Sequence, residues 1–462
     1  MVKKNDIVEL EIERVAFGGE GVGRLDGYAV FVRGAIAGDR VLAQIVKRKK
    51  SFSNARLIEI LRPSSKRILP QCKHIDLCGG CPWHCCDYET QLEYKRGHVI
   101  DSIERIGKIK DVIVHPTIPS PRQFAYRNKM EFSFADRRWL PHAEMLNQGL
   151  KSDFALGFHV RGAYYKVVQI EECLLQADIG NQILQKVSRY AEESGFPPYG
   201  IRTHTGYFRF LTLRHSFFHD QWMINIVTSK KEPEALSPLV DSITTNFNNI
   251  ASIVNTINPR KGSTAIGEEE VLLYGEPLIE EVLMGYRFTV SPSSFFQTNT
   301  ACAEKLYGTV VKYASLTGSE TVLDLYSGTG TIPIIMSNSC RKVIGVEIEQ
   351  SAVRDAESNC KRNNVTNCAF LCGDIRYISS LLQEEADVVV IDPPRAGMHP
   401  DVIKQLLVVL PKRIIYVSCN PTTMARDIEM MVDAYRLEEV QPVDMFPHTF
   451  HIESVARLQR IV

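Results

Sequence analysis

The sequence predicts an α/β protein in which a C-terminal, Rossmann-like doubly wound sheet follows a small N-terminal OB-like β-barrel and a mixed α+β middle domain. Three observations carry this reading. At 462 residues the chain exceeds one ordinary domain, so two or three compact units are expected. Between Ile7 and Ile60, apolar and polar residues alternate around glycine turns, the period of half-buried strands. From Glu320 onward the pattern becomes apolar run, turn and helix in repetition, which a crossover-connected parallel sheet satisfies. The boundaries this gives are 1–62 for the barrel, 63–300 for the middle domain and 301–462 for the sheet.

In the barrel, Leu10 and Ile12 alternate with Glu9, Glu11 and Glu13, and Gly18 to Gly23 supply a turn. Further apolar runs follow at Tyr28 to Val32 and Val41 to Val46. Formal net charge is +0, so bulk charge names no partner. Local charge does: from Arg40 to Arg67 the chain carries Lys47, Arg48, Lys49, Lys50, Arg56, Arg62 and Lys66 against the single acid Glu59. A basic rim on an OB-like barrel suits single-stranded nucleic acid, although an SH3-like module with a solvated charged face has the same pattern.

Met1 to Asp6 lead into the Glu-alternating strand with no apolar signal core, and no run is long enough to span a bilayer. The chain is therefore expected to be cytoplasmic, with its 12 cysteines reduced, metal-bound or catalytic. Cys72, Cys78, Gly79, Gly80 and Cys81 form a tight cysteine segment, with Cys85 and Cys86 just beyond. Glycines there let amides approach sulfur, and the lack of a second Cys-x-x-Cys pair favours an iron–sulfur cluster over structural zinc. Spacing leaves Cys85, Cys86 and the distant Cys173 open as fourth ligand.

Gln91 to Gly107 reads as a helix with Leu92, Val99, Ile103 and Ile106 on one face. Alternating stretches at Phe208 to Arg214 and Met223 to Thr228 mark strands of the middle domain. Tyr126 to Phe132 interleaves aromatics with cations, a pattern shared by RNA-stacking surfaces and half-buried strands.

In the C-terminal half, strands are expected at 321–325, 342–347, 368–372, 387–391, 413–418, 437–442 and 453–458, with helices at 351–363 and 400–410. Asp324-x-x-x-Gly328-x-Gly330 ends the first strand, and Glu347 ends the second, where a carboxylate can accept from both ribose hydroxyls. Pro333 occupies the place of the third glycine of a dinucleotide fingerprint, which leaves S-adenosylmethionine as the nucleoside cofactor. Asp374, ending the third strand, is placed near the adenine or serves as a helix N-cap. Asp392-Pro393-Pro394 fixes a carboxylate on stiff backbone after the fourth strand, and Arg395 stands where amino-methylating enzymes carry an aromatic ring.

Ser418-Cys419-Asn420-Pro421 delivers a thiol at the next strand end. Pyrimidine C5 attacks a methyl group only once a thiolate has added to C6, so this cysteine points to carbon methylation rather than amine methylation. A free thiol with a pKa of about 8.5 needs a neighbouring cation or base. A base must also take the C5 proton, and His448, His451 and Glu453 are the candidates.

Together these motifs resemble the RNA uracil-C5 methyltransferases, which form 5-methyluridine in ribosomal and transfer RNA. The resemblance spans a TRAM-like barrel, the cysteine segment, Ser294-Phe295-Phe296-Gln297-Thr298-Asn299, Asp392 to Gly397, Ser418 to Pro421 and the histidine-flanked Glu453. It implies Cys419 as nucleophile and Glu453 as base, with S-adenosylmethionine contacts from Gln297, Tyr326, Glu347 and Asp392. It also implies a [4Fe-4S] cluster on Cys72, Cys78, Cys81 and Cys173, and a flipped-out target uridine. The barrel and cysteine segment point to 23S ribosomal RNA, with transfer RNA as the alternative and a monomer as the expected state. An amino-methyltransferase would not need Cys419. A non-enzymatic RNA-binding protein would not bind the cofactor.

Overall fold

The computed structural model describes residues 2–140, 153–160, 162–382 and 384–461. Strands β1 (Ile7–Val15), β2 (Glu20–Leu25), β3 (Tyr28–Arg33), β4 (Arg40–Arg48) and β5 (Phe52–Arg62) close into a barrel in the order β1-β2-β3-β5-β4. Alternation sends Leu10, Ile12, Val30, Val32, Val41, Ala43 and Ile45 inward to form its core. At Gly21 a Cβ would lie 2.7 Å from the Ala35 carbonyl oxygen, so the close approach of chain there requires glycine. Part of the basic patch is neutralised by β1, because Arg40 pairs with Glu9 and Arg62 with Glu11. Arg67 is bound to the fully buried Asp39 at 2.7 Å. The acids that pair with Arg40 and Arg62 lie about thirty to fifty residues upstream, out of view of a count made along the segment. Lys47, Arg48, Lys49 and Lys50 remain exposed at the end of β4.

Helix α1 (Tyr88–Arg105) is capped by Asp87, whose carboxylate accepts from the Thr90 amide at 2.8 Å. Strand β6 (Ile113–Val114) then pairs in parallel with a strand of the C-terminal sheet. The middle sheet contains β7 (Lys129–Ala135), β8 (Ala155–Val160), β9 (Ala163–Gln169), β10 (Phe208–Ser216), β11 (Gln221–Thr228), β12 (Ile250–Ile257) and β13 (Glu269–Gly275). Its order is β13-β12-β11-β10-β7-β8-β9, and α2 (Asp178–Glu193) and α3 (Ser237–Asn246) pack on it through Ile183, Leu184, Leu239 and Ile243. Tyr126 and Phe132 are buried, the latter in β7, so these rings belong to the core and do not stack on RNA.

Hairpin β14 (Ile279–Leu283) and β15 (Tyr286–Val290) leads to α4 (Thr300–Ala314). The C-terminal strands are β16 (Thr321–Leu325), β17 (Lys342–Glu347), β18 (Cys368–Cys372), β19 (Val388–Ile391), β20 (Arg413–Ser418), β21 (Tyr435–Val443) and β22 (Glu453–Arg460). They lie in the order β18-β17-β16-β19-β20-β22-β21-β6. The first five are parallel and β22 is antiparallel to both neighbours. Strands buried on both faces require helices on both sides. One face is covered by α4 and α5 (Thr331–Met336) with Cys360 of α6 (Gln350–Arg362), and the other by α8 (Pro400–Val409), α9 (Pro421–Glu429) and α1. A short helix, α7 (Ile378–Leu381), lies beside α8. No helix among the described residues is long and apolar enough to cross a membrane.

Candidate active site and cysteine site

Parallel strands end at one edge, and that edge gathers the charged residues. At the end of β16, Asp324 is 1% exposed and neither carboxylate oxygen has a hydrogen-bond partner. The loop after it turns through left-handed Tyr326 and Gly330, where a Cβ would strike Ala356 and the Phe370 ring at 2.9 Å. Glu347 closes this loop: one oxygen accepts from the Gly328 amide at 3.0 Å and the other from the Ile348 and Glu349 amides at 2.8 and 3.0 Å. A glycine loop opening a helix, with a carboxylate at the neighbouring strand end, is the donor set that suits a nucleoside. Asp374 caps the turn after β18, accepting from the Arg376 amide at 2.9 Å, and its ion pair with Arg376 holds its carboxyl below the usual range.

Across the edge, the Asp392-Pro-Pro-Arg loop is held by the helix that follows Cys419. Asn420 and Thr423 donate to the Arg395 carbonyl at 3.1 and 3.4 Å, and Arg426 donates to the Ala396 carbonyl at 3.0 Å. The fully buried Asp427 accepts from the Met398 amide and the Tyr416 hydroxyl, both at 2.7 Å. This bracing sets the Arg395 guanidinium against the Cys419 thiol.

Strand register supplies the remaining partner. In the antiparallel β20–β22 pair Ser418 faces Ser454. The pairing closes there: Cys419 follows the end of β20 and Glu453 is the first residue of β22, and the Glu453 charge reaches the thiol. His448 is instead buried, its ring stacked on Phe124 and tilted against His84, and burial pushes it down to about 3. His451 packs beside Phe446 and Phe450.

Low solvation governs the protonation of this edge. Burial raises Asp392 to about 7 and Cys419 to about 11, where the Glu453 and Asp392 charges add to the rise and Arg395 opposes it. Glu453 and Asp324 are likewise pushed far up by burial and then by Asp392. Buried Asp324 and Glu453 with part-buried Asp392, and Arg395 beside Glu453, make an edge that suits a positively charged ligand.

Gln297 completes the edge from the loop before α4. Asn128 donates to its backbone carbonyl and to the Thr300 hydroxyl, both at 2.8 Å. The Gln297 side chain bonds the hydroxyl of Tyr307, a buried ring on α4 that also faces Asp392, Glu453 and Asp324. Tyr307 was not legible as a site residue, because Leu306, Tyr307 and Val310 form an apolar stripe at helical spacing and look like core.

The cysteines gather elsewhere. Cys72, Cys78, Cys81 and Cys173 line one cavity of about 260 Å³, together with His84, Phe124 and Arg127. Burial pushes the thiol of Cys173 up to about 12, and it raises Cys81 further still with help from the other three sulfurs. The Gly80 amide approaches the Cys78 sulfur at 3.4 Å. Cys85 and Cys86 lie outside this lining, packed with Trp83 and Tyr94. Among the described residues no three His, Cys, Asp or Glu side chains converge tightly enough to hold a single metal ion.

Comparison with known proteins agrees with this architecture. The tRNA (Uracil-5-)-methyltransferase family matches residues 276–461, and the TRAM domain matches residues 2–58. An uncharacterized RNA methyltransferase of Chlorobaculum tepidum is 40% identical over 99% of this chain and 97% of its own length. One from Bacteroides thetaiotaomicron is 39% identical over 96% of this chain and 99% of its own. The crystal structure of Pyrococcus abyssi tRNA (uracil-54, C5)-methyltransferase in complex with S-adenosyl-L-homocysteine superposes with a TM-score of 0.76 at 30% identity, covering 98% of this chain and 100% of that one. With a Rossmann-like cofactor domain and a TRAM barrel on one chain, the protein belongs to the family of S-adenosylmethionine-dependent RNA uracil-5-methyltransferases.

Proposed function

We propose that the protein methylates C5 of a uridine in RNA, with Cys419 as nucleophile and Glu453 as the base that removes the C5 proton. The observation that carries this is that Cys419 and Glu453 both adjoin the last β20–β22 pair, Ser418–Ser454, with the Glu453 and Arg395 charges both acting on the thiol. The order of events follows from the charges. Cys419 gives up its proton to solvent and its sulfur bonds C6 of a flipped-out uracil, which leaves C5 carbanion-like. S-adenosylmethionine would supply the methyl group to C5 from a cationic sulfonium and leave as the neutral thioether S-adenosylhomocysteine. Asp324, Asp392 and Glu453 ionise more readily with that cation beside them. Glu453 then takes the C5 proton, the C5=C6 bond re-forms and the Cys419 sulfur leaves. Gln297, Tyr326, Glu347 and Asp392 hold the cofactor in this reading, with Asp374 at its adenine end.

Four cysteines lining one cavity support the reading of a bound group larger than one ion. Zinc needs its ligands within about 2.3 Å of one point, whereas an iron–sulfur cube spreads four thiolates around itself. Cys72, Cys78, Cys81 and Cys173 would hold a [4Fe-4S] cluster. Methyl transfer moves no net electrons, so its part is to order this surface.

The substrate is RNA. Ribosomal RNA is the class expected from the barrel and cysteine segment. The likeness to the Pyrococcus transfer-RNA enzyme covers both chains almost completely, which supports transfer RNA as a second reading, since the whole architecture occurs in an enzyme of that specificity. Incubation with 5-fluorouridine RNA and S-adenosylmethionine tests both points, because fluorine cannot leave as a cation and the methylated adduct stays on the thiol. A slow-migrating band on a denaturing gel, present for wild type and absent for Cys419→Ala, is expected with ribosomal or transfer RNA fragments. Cofactor binding without an adduct on any RNA would sink the proposal.

A further inference from the structure

The loop that delivers Glu453 is gripped from behind by the cysteine-bearing segment. The Trp83 amide donates to the His448 carbonyl at 3.0 Å. The His448 amide donates to Gln91 Oε1 at 2.8 Å, and the buried Gln91 uses its own Nε2 to donate to the Cys86 and Trp83 carbonyls at 2.8 and 3.2 Å. One amide side chain thus ties the two stretches together with its donor and acceptor both used. The His448 ring stacks on Phe124 at 4.6 Å and lies 4.7 Å from His84. His84 and Phe124 in turn form part of the wall of the cysteine cavity. His448 sits at φ +68°, a left-handed conformation that a bulky residue keeps only where its surroundings enforce it. A second tie lies upstream, where buried Lys95 binds Asp444 at 2.5 Å and Tyr88 donates to the same carboxylate at 2.8 Å.

We propose that the segment from Cys81 to Gln91 is the positioning device for Glu453, with His84, Gln91 and His448 as positioning residues that act on proton removal from C5 and not on thiol addition or methyl transfer. This rests on the methylation reading above. The physical reason is tolerance. A base works only within hydrogen-bond reach of its proton, and a misplacement of about 1 Å costs on the order of 10²-fold in rate. Glu453 lies five residues beyond His448, so slack at His448 is passed to the carboxylate. Cys419 lies between β20 and α9, where Asn420 and Thr423 bond the Arg395 carbonyl, and none of the bonds of this grip named above ends on it. The bonds at stake are the C5–H bond, whose proton goes to Glu453, and the C6–S bond, whose electrons return to Cys419.

The two halves of the reaction separate experimentally. Adduct formation on 5-fluorouridine RNA needs addition and methyl transfer alone, whereas turnover on ordinary RNA also needs Glu453. Gln91→Leu and His84→Ala are expected to form the fluorinated adduct within about threefold of the wild-type rate. On ordinary RNA they are expected to lose at least about tenfold in turnover and to accumulate a methylated protein–RNA adduct, as Glu453→Gln does. His84→Phe, which keeps the ring, is expected to restore turnover. If Gln91→Leu does not fold, the His84 pair carries the test. Unchanged turnover in His84→Ala overturns the inference. So does a proportional fall of turnover and fluorinated adduct, which would assign the segment to folding or RNA binding. Absence of the adduct with wild-type protein removes the methylation reading and this inference with it.

Discussion

The N-terminal barrel and the carboxyl edge of the C-terminal sheet treat charge in opposite ways. In the barrel Glu9 holds Arg40, Glu11 holds Arg62, and Asp39 is satisfied by Arg67 and by the Ile36 and Ser64 amides at 2.7 and 2.9 Å. At the sheet edge Asp324 is buried with both oxygens unpartnered, and Asp392 and Glu453 are crowded by one another. A self-neutralised module folds without its ligand. The sheet edge keeps an electrostatic cost that a cationic ligand relieves, so stability there is exchanged for chemistry.

The largest effects should come from breaking the chemical side of this contrast. Cys419→Ala is expected to abolish adduct and turnover together. Glu453→Gln is expected to lower turnover by about 10²–10⁴-fold while leaving a covalent protein–RNA species on ordinary RNA. Denaturing gels and methyl incorporation read both. A Glu453→Gln protein that turns over normally would transfer the base role to another group.

Next in size is the barrel's buried pair. Asp39→Ala leaves the Arg67 guanidinium and two amides without their acceptor, and a loss of about 3 kcal/mol is expected from denaturant unfolding of the full chain. A loss below about 1 kcal/mol would mean that water or another acceptor replaces the carboxylate.

The sheet edge should show the reverse sign. Folding raises Asp392 from an ordinary 3.8 to about 7, so the protonated carboxyl is the one the fold favours. Its contribution is intact below about pH 4 and is lost as pH rises through 7. Asp392→Asn should therefore stabilise the cofactor-free protein at pH 8 by roughly 1–3 kcal/mol, and make no difference near pH 4. Thermal unfolding at the two pH values decides it. Equal effects at both would show that the carboxyl is solvated.

Much of this contrast could be read from residues, and the limits have physical causes. Periodicity shows where strands end, because apolar runs buried on both faces stand out, and so Asp324, Glu347, Asp392 and Cys419 were all legible as strand-end residues. Register is not local information. What favours the proposal of Glu453 over His448 and His451 is how β22 meets β20, which no spacing reveals. Arg395 was legible as a replaced aromatic but not as the thiol's neighbour, since its position is set by Asn420 and Thr423. The barrel's basic patch was overcounted for the same reason, its compensating acids being on another strand.

The smallest effect sharpens that last point. Glu9 and Glu11 pair with arginines on an exposed strand face, where ion pairs contribute roughly 0–1 kcal/mol. A Glu9→Gln, Glu11→Gln protein should unfold within about 1 kcal/mol of wild type. Its consequence belongs to binding instead. Arg40 and Arg62 would be released beside exposed Lys47, Lys49 and Lys50, and each phosphate newly neutralised on a single strand adds about 0.7 to the slope of log affinity against log salt. Tighter RNA binding at low salt with a steeper slope would mark the barrel face as the RNA contact. An unchanged slope would place the phosphate contacts on another face, and the barrel's pairing of its own charges would then be a device for folding alone.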